Sequence, residues 1–319
     1  MKRLLAPLFL ILAAPLAAAQ QDWPQRPVRM LVGFGPGGGT DIVARIVAQP
    51  LGEALGQPVV VENRPGAGGT IAAAQTAKAA PDGYTAFMLN NGFAVSAVIY
   101  RTLQYDPLAD FQAVSMVATM PLVMLAGGKA EFADLKGLIA AAKANPGKLN
   151  FASVGIGSTQ HFAGELFFPL AGVNLLHIPY KGTPAAIAAM QSGEAHLLVE
   201  TAAPVLGQIR GGALKALAVT SSARFPGLAD VPTVAEAGVP GYDVTTWYAL
   251  VFPAKTPATV VEKTNRALRD VLAREEVRRQ MANTAFLPET STPAALAAHI
   301  RAEIARWGGV REKAGIKQE

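Results

Sequence analysis

A short apolar run, a glycine-rich loop and a stretch with helical spacing follow one another repeatedly along this chain. The run Val28–Val32 leads into the loop 33–39, and apolar residues at helical spacing begin at Ile42. Residues 59–61 lead in the same way into the loop 63–69. Strand, loop and helix in this order indicate a parallel sheet covered by helices. We therefore expect an α/β fold with glycine-rich turns at the strand ends.

Two more elements complete this first α/β unit. A helix is expected at 71–79 and a third strand at 84–89, because the turn Pro81-Asp82-Gly83 separates them. Pro50 falls inside the first expected helix, where a proline costs about 3 kcal/mol or ends the helix. We therefore expect a break or kink near Gln49.

The same order of elements restarts near the middle of the chain. Apolar runs typical of strands lie at 149–154, 175–178, 196–199 and 214–220. The pairs Ser158-Thr159 and Thr183-Pro184 are typical helix starts, and Gly211-Gly212 is a typical helix end. The second half of the chain therefore forms another α/β unit.

Two apolar stretches connect the units, and a length of 319 residues favours two domains. Residues 115–126 carry the chain across, and residues 244–252 bring it back. We predict one lobe from 22–122 plus 246–319 and a second lobe from 123–245. The tail 292–306 is expected to form an amphipathic helix.

The amino terminus has the pattern of a secretory signal peptide. Met1-Lys2-Arg3 precedes the apolar run 4–16, and Ala17-Ala18-Ala19 matches a cleavage site. The alternative is a membrane anchor, but residues 4–19 are short for a span and contain two prolines. We expect cleavage near Ala19 to remove residues 1–19. The mature chain is expected to be exported to the periplasm.

Composition excludes several classes of site. The chain has no cysteine, so it forms no disulfide, thiolate metal site or iron–sulfur cluster. The most basic run, 274–279, is mixed in sign and indicates a solvated helix face, not a nucleic-acid site. No two histidines share the spacing of a zinc-binding helix, so we expect no metal and no cofactor. The histidines are His161, His177, His196 and His299.

The first glycine loop permits three interpretations. Residues 33–38 match G-x-G-x-x-G, and Glu62 stands where an acid binds the ribose of a dinucleotide. Pro36 interrupts that phosphate turn, and the helix cap is expected only at Thr40-Asp41. A second interpretation is a set of tight turns without a ligand. The third is an anion site shared by several loops.

The shared anion site uses loops that lie between a strand's carboxyl end and a helix start, which is the ligand edge of an open α/β sheet. Helix N-termini offer N–H groups and a positive dipole end to a carboxylate. Hydroxyls accompany the glycines at Thr40, Thr70, Ser158, Thr159 and Thr183. Two lobes with facing loops form a cleft that closes on a small anion.

An enzyme is the competing functional class. Ser158 has glycines at the wrong offsets for the G-x-S-x-G nucleophile motif, and no local pattern indicates a Ser/His/Asp set. We therefore expect a binding protein, with an exported dinucleotide-binding or hydrolytic enzyme that uses residues 33–38 as the alternative.

Single residues near the loops have competing roles. Asp41 is expected to cap the first helix, and a direct contact to a ligand would indicate an amino group on that ligand. His161 either faces the cleft or packs against the neighbouring loop. Tyr180 is a candidate cleft wall, and Lys181 is either a cation for the ligand or an exposed lysine.

Strand ends supply further candidates. Glu200 and Thr201 end a strand of the second lobe and are expected to point toward the ligand edge. Trp247 and Tyr248 lie on the returning strand, where core or hinge packing is expected instead of a stacking platform.

Several segments between about Trp23 and Ile316 match the motifs of one protein family. They are Trp23-Pro24-Gln25-Arg26-Pro27-Val28-Arg29, Gly37-Gly38-Gly39-Thr40-Asp41, Val61-Glu62-Asn63-Arg64-Pro65-Gly66-Ala67-Gly68-Gly69, Pro81-Asp82-Gly83-Tyr84-Thr85, Asn145-Pro146-Gly147-Lys148-Leu149, Pro179-Tyr180-Lys181-Gly182, Asp230-Val231-Pro232-Thr233, Glu236-Ala237-Gly238 and Ala314-Gly315-Ile316. With these segments the chain resembles the Bug (Bordetella uptake gene) family of extracytoplasmic receptors of tripartite tricarboxylate transporters. One departure is Gly33-Phe34-Gly35-Pro36 where the family usually has Pro-Phe-Pro-Pro, so the first loop is expected to be looser.

The resemblance implies a type II periplasmic binding-protein fold, a Venus flytrap of two doubly wound α/β lobes joined by a two-stranded hinge. It implies capture of a small carboxylate or related metabolite for the permease subunits of a tripartite tricarboxylate transporter, and we expect a monomer. The candidate ligand-binding residues are Phe34, Gly38, Gly39, Thr40, Asp41, Ala67, Gly68, Gly69, Thr70, Ser153, Gly157, Ser158, Thr159, His161, Tyr180, Lys181, Gly182, Thr183 and Glu200.

Overall fold

The fold alternates strands and helices as the sequence pattern predicts. A computed structural model describes residues 23–128, 130–313 and 316–318. The expected signal peptide, residues 1–19, lies outside the described residues. Within them the strands are β1 Val28–Val32, β2 Val59–Asn63, β3 Thr85–Asn90, β4 Phe111–Gly127, β5 Asn150–Ser153, β6 Leu176–Pro179, β7 Leu197–Thr201, β8 Leu214–Val219, β9 Thr245–Pro253 and β10 Leu287–Pro288.

Helices follow most of these strands. They are α1 Gly39–Leu55, α2 Thr70–Ala77, α3 Asn91–Ile99, α4 Leu135–Ala144, α5 Thr159–Ala171, α6 Thr183–Ser192, α7 Ala202–Arg210, α8 Ala258–Ala273, α9 Glu275–Asn283 and α10 Pro293–Lys313. None of the helices in the described part of the chain combines the length and apolarity needed to cross a membrane.

Two groups of strands share the long strand β4. In the first group β1 pairs in parallel with β2 and β3, and β9 joins β3 to the first part of β4. In the second group β5 pairs in parallel with β6 and β7, while β7 and β8 pair with the last part of β4. Strand β4 changes partners between Pro121 and Leu122. The strand order is β2-β1-β3-β9-β4-β7-β5-β6.

The central strands of the sheet are buried on both faces, whereas the edge strands β2 and β6 are partly exposed. Met30 and Met88 belong to one hydrophobic cluster, whereas the adjacent Leu31, Phe87 and Leu89 belong to another. Successive residues of a strand point to opposite faces, so each cluster fills the space between one face and its covering helices. This explains why the strands consist of continuous apolar runs.

The first helix does not break near Gln49, so that part of the prediction is wrong. Helix α1 continues through Pro50 to its left-handed C-cap at Gly56. Val47, Leu51 and Leu55 flank the proline and are buried against the sheet and helix α8. Burying each such side chain contributes about 1.5–3 kcal/mol, which together exceeds the cost of one interior proline.

Candidate functional site

A small cavity lies between the two groups of strands, at the carboxyl ends of the parallel strands. From the first group it is lined by Phe34, Gly35, Gly38, Gly39, Thr40 and Asn90. From the second group and the connecting strand β9 it is lined by Val154, Gln160, Gly182, Thr183, Thr201 and Tyr248. Its volume of about 20 Å³ holds roughly one water molecule. The two groups of strands therefore leave almost no open space between them at this site.

Five helices begin at this cavity. Helices α1, α3 and α6 begin directly after the lining residues Gly38, Asn90 and Gly182. Helix α7 begins after Thr201, and Gln160 lies in the first turn of α5. No side chain caps α1, α6 or α7, and no described lining residue is a lysine or an arginine. The positive ends of the helix dipoles therefore converge on a site without a side-chain cation, which favours a small anion.

A larger surface depression of about 950 Å³ lies at the opposite ends of α6 and α7 and at the end of α4. Its lining includes Asn145 and Gly193, the C-caps of α4 and α6, and Gly212, next to the C-cap of α7. Helix C-termini carry the negative end of the dipole. This depression is therefore electrostatically unsuited to a carboxylate, despite its size.

Hydrogen bonds of Asp41 stabilise the first glycine loop, residues 33–39. The Asp41 carboxylate accepts hydrogen bonds from the Gly37 backbone N–H (2.9 Å), from Arg45 Nε (2.9 Å) and from Asn63 Nδ2 (2.9 Å). Asn63 Nδ2 also donates to the Phe34 carbonyl oxygen. Burial alone would raise the pKa of Asp41, but the hydrogen bonds from Arg45, Gly37 and Asn63 lower it below its usual value.

The predicted cap at Thr40-Asp41 is corrected by two residues. Helix α1 begins at Gly39 with Gly38 as its N-cap, and the buried Asp41 bonds back to Gly37 from the first turn. The helix therefore starts directly after the third glycine of the G-x-G-x-x-G pattern. Glu62, the expected ribose acid, is instead bound by Arg29 Nε (2.7 Å) and Arg64 (3.0 Å), which disfavours the dinucleotide interpretation.

Residues of the second glycine loop lie beside the cavity instead of lining it. Gly68 faces Gly157 across the cleft, and a Cβ built on Gly68 would lie 2.9 Å from the Gly157 carbonyl carbon and oxygen. Gly69 lies against the Phe34 ring. Ala67 and Thr70 line a separate surface depression of the first strand group. Thr70 is the first residue of helix α2.

The loop after β5 is held by its own side chains. Ser158 is the N-cap of α5, as predicted, and its Oγ accepts from the His161 N–H (3.1 Å) and donates to the Gly155 carbonyl (2.7 Å). Ser153 Oγ lies 2.7 Å from His177 Nε2. The neighbouring Thr159 hydroxyl is buried without a partner among the described residues.

His161 packs and does not line the cavity. Its ring stacks on His177 with centroids 4.2 Å apart and planes 11° apart, and its Nδ1 accepts weakly from the Gly157 N–H (3.4 Å). Burial, with a contribution from His177, lowers the pKa of His161 to about 3, and burial lowers that of His177 to about 4. Both rings are therefore neutral at physiological pH.

His161, Glu165 and His177 form a cluster that the sequence analysis did not anticipate. Their potential metal-ligating atoms lie within 4.8 Å of one another, and burial raises the pKa of Glu165. A metal ion lies close to the plane of each imidazole that binds it, and two nearly parallel stacked rings share no such position. These rings would have to rotate to bind one ion, so the arrangement does not present a formed metal site.

An enzymatic reading of the Ser153–His177 pair has little support in the geometry. Ser153 has no exposed surface, and His177 is stacked against His161. No carboxylate among the described residues is hydrogen-bonded to His177. A buried hydroxyl without substrate access does not serve as a nucleophile.

Only the second part of the loop after β6, from Gly182 onward, lines the cavity. Gly182 and Thr183 line the cavity, whereas Lys181 is exposed and the Tyr180 hydroxyl donates to Glu194 (2.8 Å) at the surface. Neither Tyr180 nor Lys181 lines the cavity. The expected cleft wall at Tyr180 is therefore not seen in this arrangement.

Glu200 lies next to the cavity and is entirely buried. Its Oε1 accepts from Gln160 Nε2 (2.8 Å), from the Thr201 N–H (2.7 Å) and from Thr201 Oγ1 (2.9 Å), and its Oε2 accepts from Thr183 Oγ1 (2.8 Å). Burial raises the pKa of Glu200, and these four hydrogen bonds oppose that effect. Three of the lining side chains are thus oriented by one carboxylate.

Four lining residues were not predicted as site residues from the sequence, namely Asn90, Val154, Gln160 and Tyr248. Asn90 ends strand β3, so the strand-end rule that pointed to Thr201 at the end of β7 would also have identified Asn90. The Tyr248 ring packs against Phe286 as expected, but its buried hydroxyl reaches the cavity. No local sequence pattern distinguishes that tyrosine.

Comparison with known proteins agrees with the geometry. The sequence model of the tripartite tricarboxylate transporter family receptor matches residues 43–316. Protein BugT of Bordetella pertussis is 39% identical over 308 residues, which cover 96% of this chain and 94% of BugT.

Two solved structures are similar throughout. Rpa4515 of R. palustris with adipate has a TM-score of 0.91 and 34% identity, covering 93% of this chain and all of that one. MatC of Rhodopseudomonas palustris with bound malate has a TM-score of 0.85 and 33% identity, covering 90% and 99%. These similarities confirm the expected fold class, a two-lobed α/β solute-binding protein. The chain belongs to the tripartite tricarboxylate transporter receptor family, the Bug family.

Proposed function

We propose that this protein is a periplasmic solute receptor that captures a small carboxylate in the cavity described above and delivers it to a membrane permease of the tripartite tricarboxylate transporter type. The observation that carries the proposal is the convergence of five helix starts on one cavity without a lysine or an arginine. Backbone N–H groups and helix dipoles then hold the anion.

The ligand is proposed to be a carboxylate of about four to six carbons. Two related proteins of similar structure are recorded with adipate and malate, which are dicarboxylates of this size. Each hydrogen bond to a charged group contributes about 1.5–3 kcal/mol, so four or five of them suffice for micromolar binding after the costs of association.

Capture requires the two sides of the cavity to separate, because about 20 Å³ is too small for a dicarboxylate. The proposed lobes are 22–122 plus 246–319 and 123–245, and the partner change of β4 after Pro121 supports this division. Strands β4 and β9 would form the hinge. A ligand that contacts both lobes favours the closed state, since only that state makes all of the contacts.

Export, the permease and the oligomeric state complete the proposal. The signal-peptide pattern of residues 1–19 and the family membership support a periplasmic receptor. We propose that the mature chain acts as a monomer and needs no cofactor, metal or nucleic acid. N-terminal sequencing of periplasmic protein is expected to find a chain that begins near Gln20, whereas a chain that begins at Met1 contradicts export with cleavage.

Calorimetric titration of the mature protein against adipate, succinate, malate and the neutral adipamide tests the binding function. At least one dicarboxylate is expected to bind with micromolar or tighter affinity, and adipamide is expected not to bind. Binding of adipamide as tightly as adipate, or no binding of any carboxylate, would overturn the proposal.

A further inference from the structure

The buried carboxylate of Glu200 is unusual for a site that attracts anions. Its side chain is fully buried, and no ion pair to it occurs among the described residues. A buried charge without a cationic partner persists only when it is fully hydrogen-bonded. Gln160, Thr183 and Thr201 supply those hydrogen bonds, and all three side chains also line the cavity.

The hydrogen bonds to Glu200 fix the direction of two hydroxyl hydrogens. Four donors converge on the two Glu200 oxygens, so Thr183 and Thr201 each donate their single hydroxyl hydrogen to this carboxylate. Their oxygens face the other side of the cleft. A Cβ built on Gly38 would lie 3.3 Å from Thr183 Oγ1, and one built on Gly39 would lie 2.7 Å from Thr201 Oγ1. These oxygens can therefore offer the cavity only lone pairs.

The opposite side of the cavity has the reverse polarity. Thr40 Oγ1 accepts from Asn90 Nδ2 (3.0 Å), which leaves the Thr40 hydroxyl hydrogen for another acceptor. The uncapped start of helix α1 adds backbone N–H groups on the same side. Among the hydroxyl groups, the free hydrogen thus lies on the first lobe and the free lone pairs lie on the second, whereas uncapped helix starts lie on both.

We propose that Glu200 is a specificity-determining positioning residue that makes the receptor prefer a hydroxycarboxylate over the unsubstituted carboxylate of the same length and charge. The inference rests on the proposed function. The ligand's carboxylate lies against the donors of the first lobe, and its hydroxyl group donates to Thr183 Oγ1 on the second. Glu200 acts through this side chain and does not contact the ligand.

The variant Glu200→Gln reverses the direction of the hydrogen bond between residue 200 and Thr183 Oγ1 without changing the size of side chain 200. The amide oxygen can keep the hydrogen bonds from Gln160 and Thr201, while the amide nitrogen takes the place of Oε2 and donates to Thr183 Oγ1. The Thr183 hydroxyl hydrogen is then released toward the cavity. Removal of a buried negative charge strengthens the binding of every anion. We therefore compare the affinity for a hydroxycarboxylate with that for the unsubstituted carboxylate of equal charge, because the charge effect cancels in this ratio and the hydrogen-bond effect remains.

Calorimetry with two matched pairs, succinate with malate and adipate with 3-hydroxyadipate, measures that ratio. The wild-type protein is expected to bind the hydroxylated member about threefold to tenfold more tightly, the range given by one hydrogen bond. In Glu200→Gln the preference is expected to fall to about one or to reverse. The charge-matched control Glu53→Gln, on the exposed part of α1, is expected to keep the wild-type ratio.

A substitution of Thr183 tests the same inference independently of Glu200. Thr183→Val is expected to reduce the preference, and Glu200→Gln added to Thr183→Val is expected to change the ratio no further. If Glu200→Gln does not fold, the Thr183→Val ratio decides alone. An unchanged ratio in the variants overturns this inference and leaves the proposed function intact. Absence of binding by every carboxylate overturns the proposed function, and this inference with it.

Discussion

Substitution of Gly68 by alanine separates closure of the cleft from folding of the lobes. Gly68 has φ +64°, and a Cβ at this position would lie 2.9 Å from the backbone of Gly157 on the opposite side of the cleft. Backbone atoms cannot rotate away as a side chain can. The substitution therefore obstructs the closed state specifically, whereas its backbone strain is present whether the cleft is open or closed.

The two effects have different magnitudes. A left-handed conformation costs an alanine about 1–2 kcal/mol, which lowers the unfolding free energy of the unliganded protein. Overpacking adds about 1–3 kcal/mol to closure, equivalent to roughly a fivefold to hundredfold weaker Kd. Ser96 Oγ also lies 2.9 Å from the built Cβ, but it belongs to the same lobe and can rotate.

Gly56→Ala is the matched control. Gly56 has φ +81° at the C-cap of α1, and nothing lies within 4 Å of a Cβ built there. Both variants are expected to lose similar unfolding free energy in urea titrations, but only Gly68→Ala is expected to lose calorimetric affinity for the tightest-binding carboxylate. Equal affinities in the two variants would refute the reasoning that the Gly68–Gly157 contact belongs to the ligand-bound state.

Three further predictions follow from the contacts around the cavity. Gly38→Asp is expected to weaken carboxylate binding more than a hundredfold in calorimetry, because two like charges 4 Å apart repel by about 4 kcal/mol at an effective dielectric of 20. Gly38→Asn places an uncharged side chain of the same size at the same helix start, so it is expected to weaken binding less than Gly38→Asp does. Arg45→Ala is expected to weaken binding less than tenfold, since Arg45 contacts the ligand loop only through Asp41 and Asn63; a hundredfold loss would place the anion on this guanidinium. The lowered pKa values of His161 and His177, about 3 and 4, predict that unfolding free energy falls as pH drops from about 6.5 toward 4, because the unfolded chain binds protons that the folded chain excludes. The loss should approach about 1.4 kcal/mol per pH unit for each histidine, and urea titrations of His161→Gln that keep the full wild-type slope would contradict it.

The order of elements was predictable because local patterns determine it. The run Val28–Val32 is a strand as predicted, and the cap at Ser158 starts a helix as predicted, since both depend on neighbouring residues. Helices α3, α4 and α8 were not assigned from the sequence. Strand β4 is 17 residues long because it serves both strand groups, and nothing in its local sequence indicates that length.

The site was predictable only in part, for a related reason. Glycine loops at strand ends identified Gly38, Gly39 and Thr183, because the strand-end rule follows from topology. The hydrogen bonds of Glu200 join side chains from α5, α6 and the end of β7, and such long-range pairing leaves no mark in the sequence around any one of them. The same holds for the Tyr248 hydroxyl.

The central claim is that a small carboxylate is bound by backbone N–H groups between the first loop and the loops of the second lobe. A crystal structure of the mature protein with the tightest-binding carboxylate tests it most directly. We expect the ligand between Thr40 and Thr183, with its carboxylate at the start of α1 and no arginine or lysine within hydrogen-bond distance. A ligand in the depression near Gly193 or in the one near Thr70, or one held by an arginine side chain, would contradict the account.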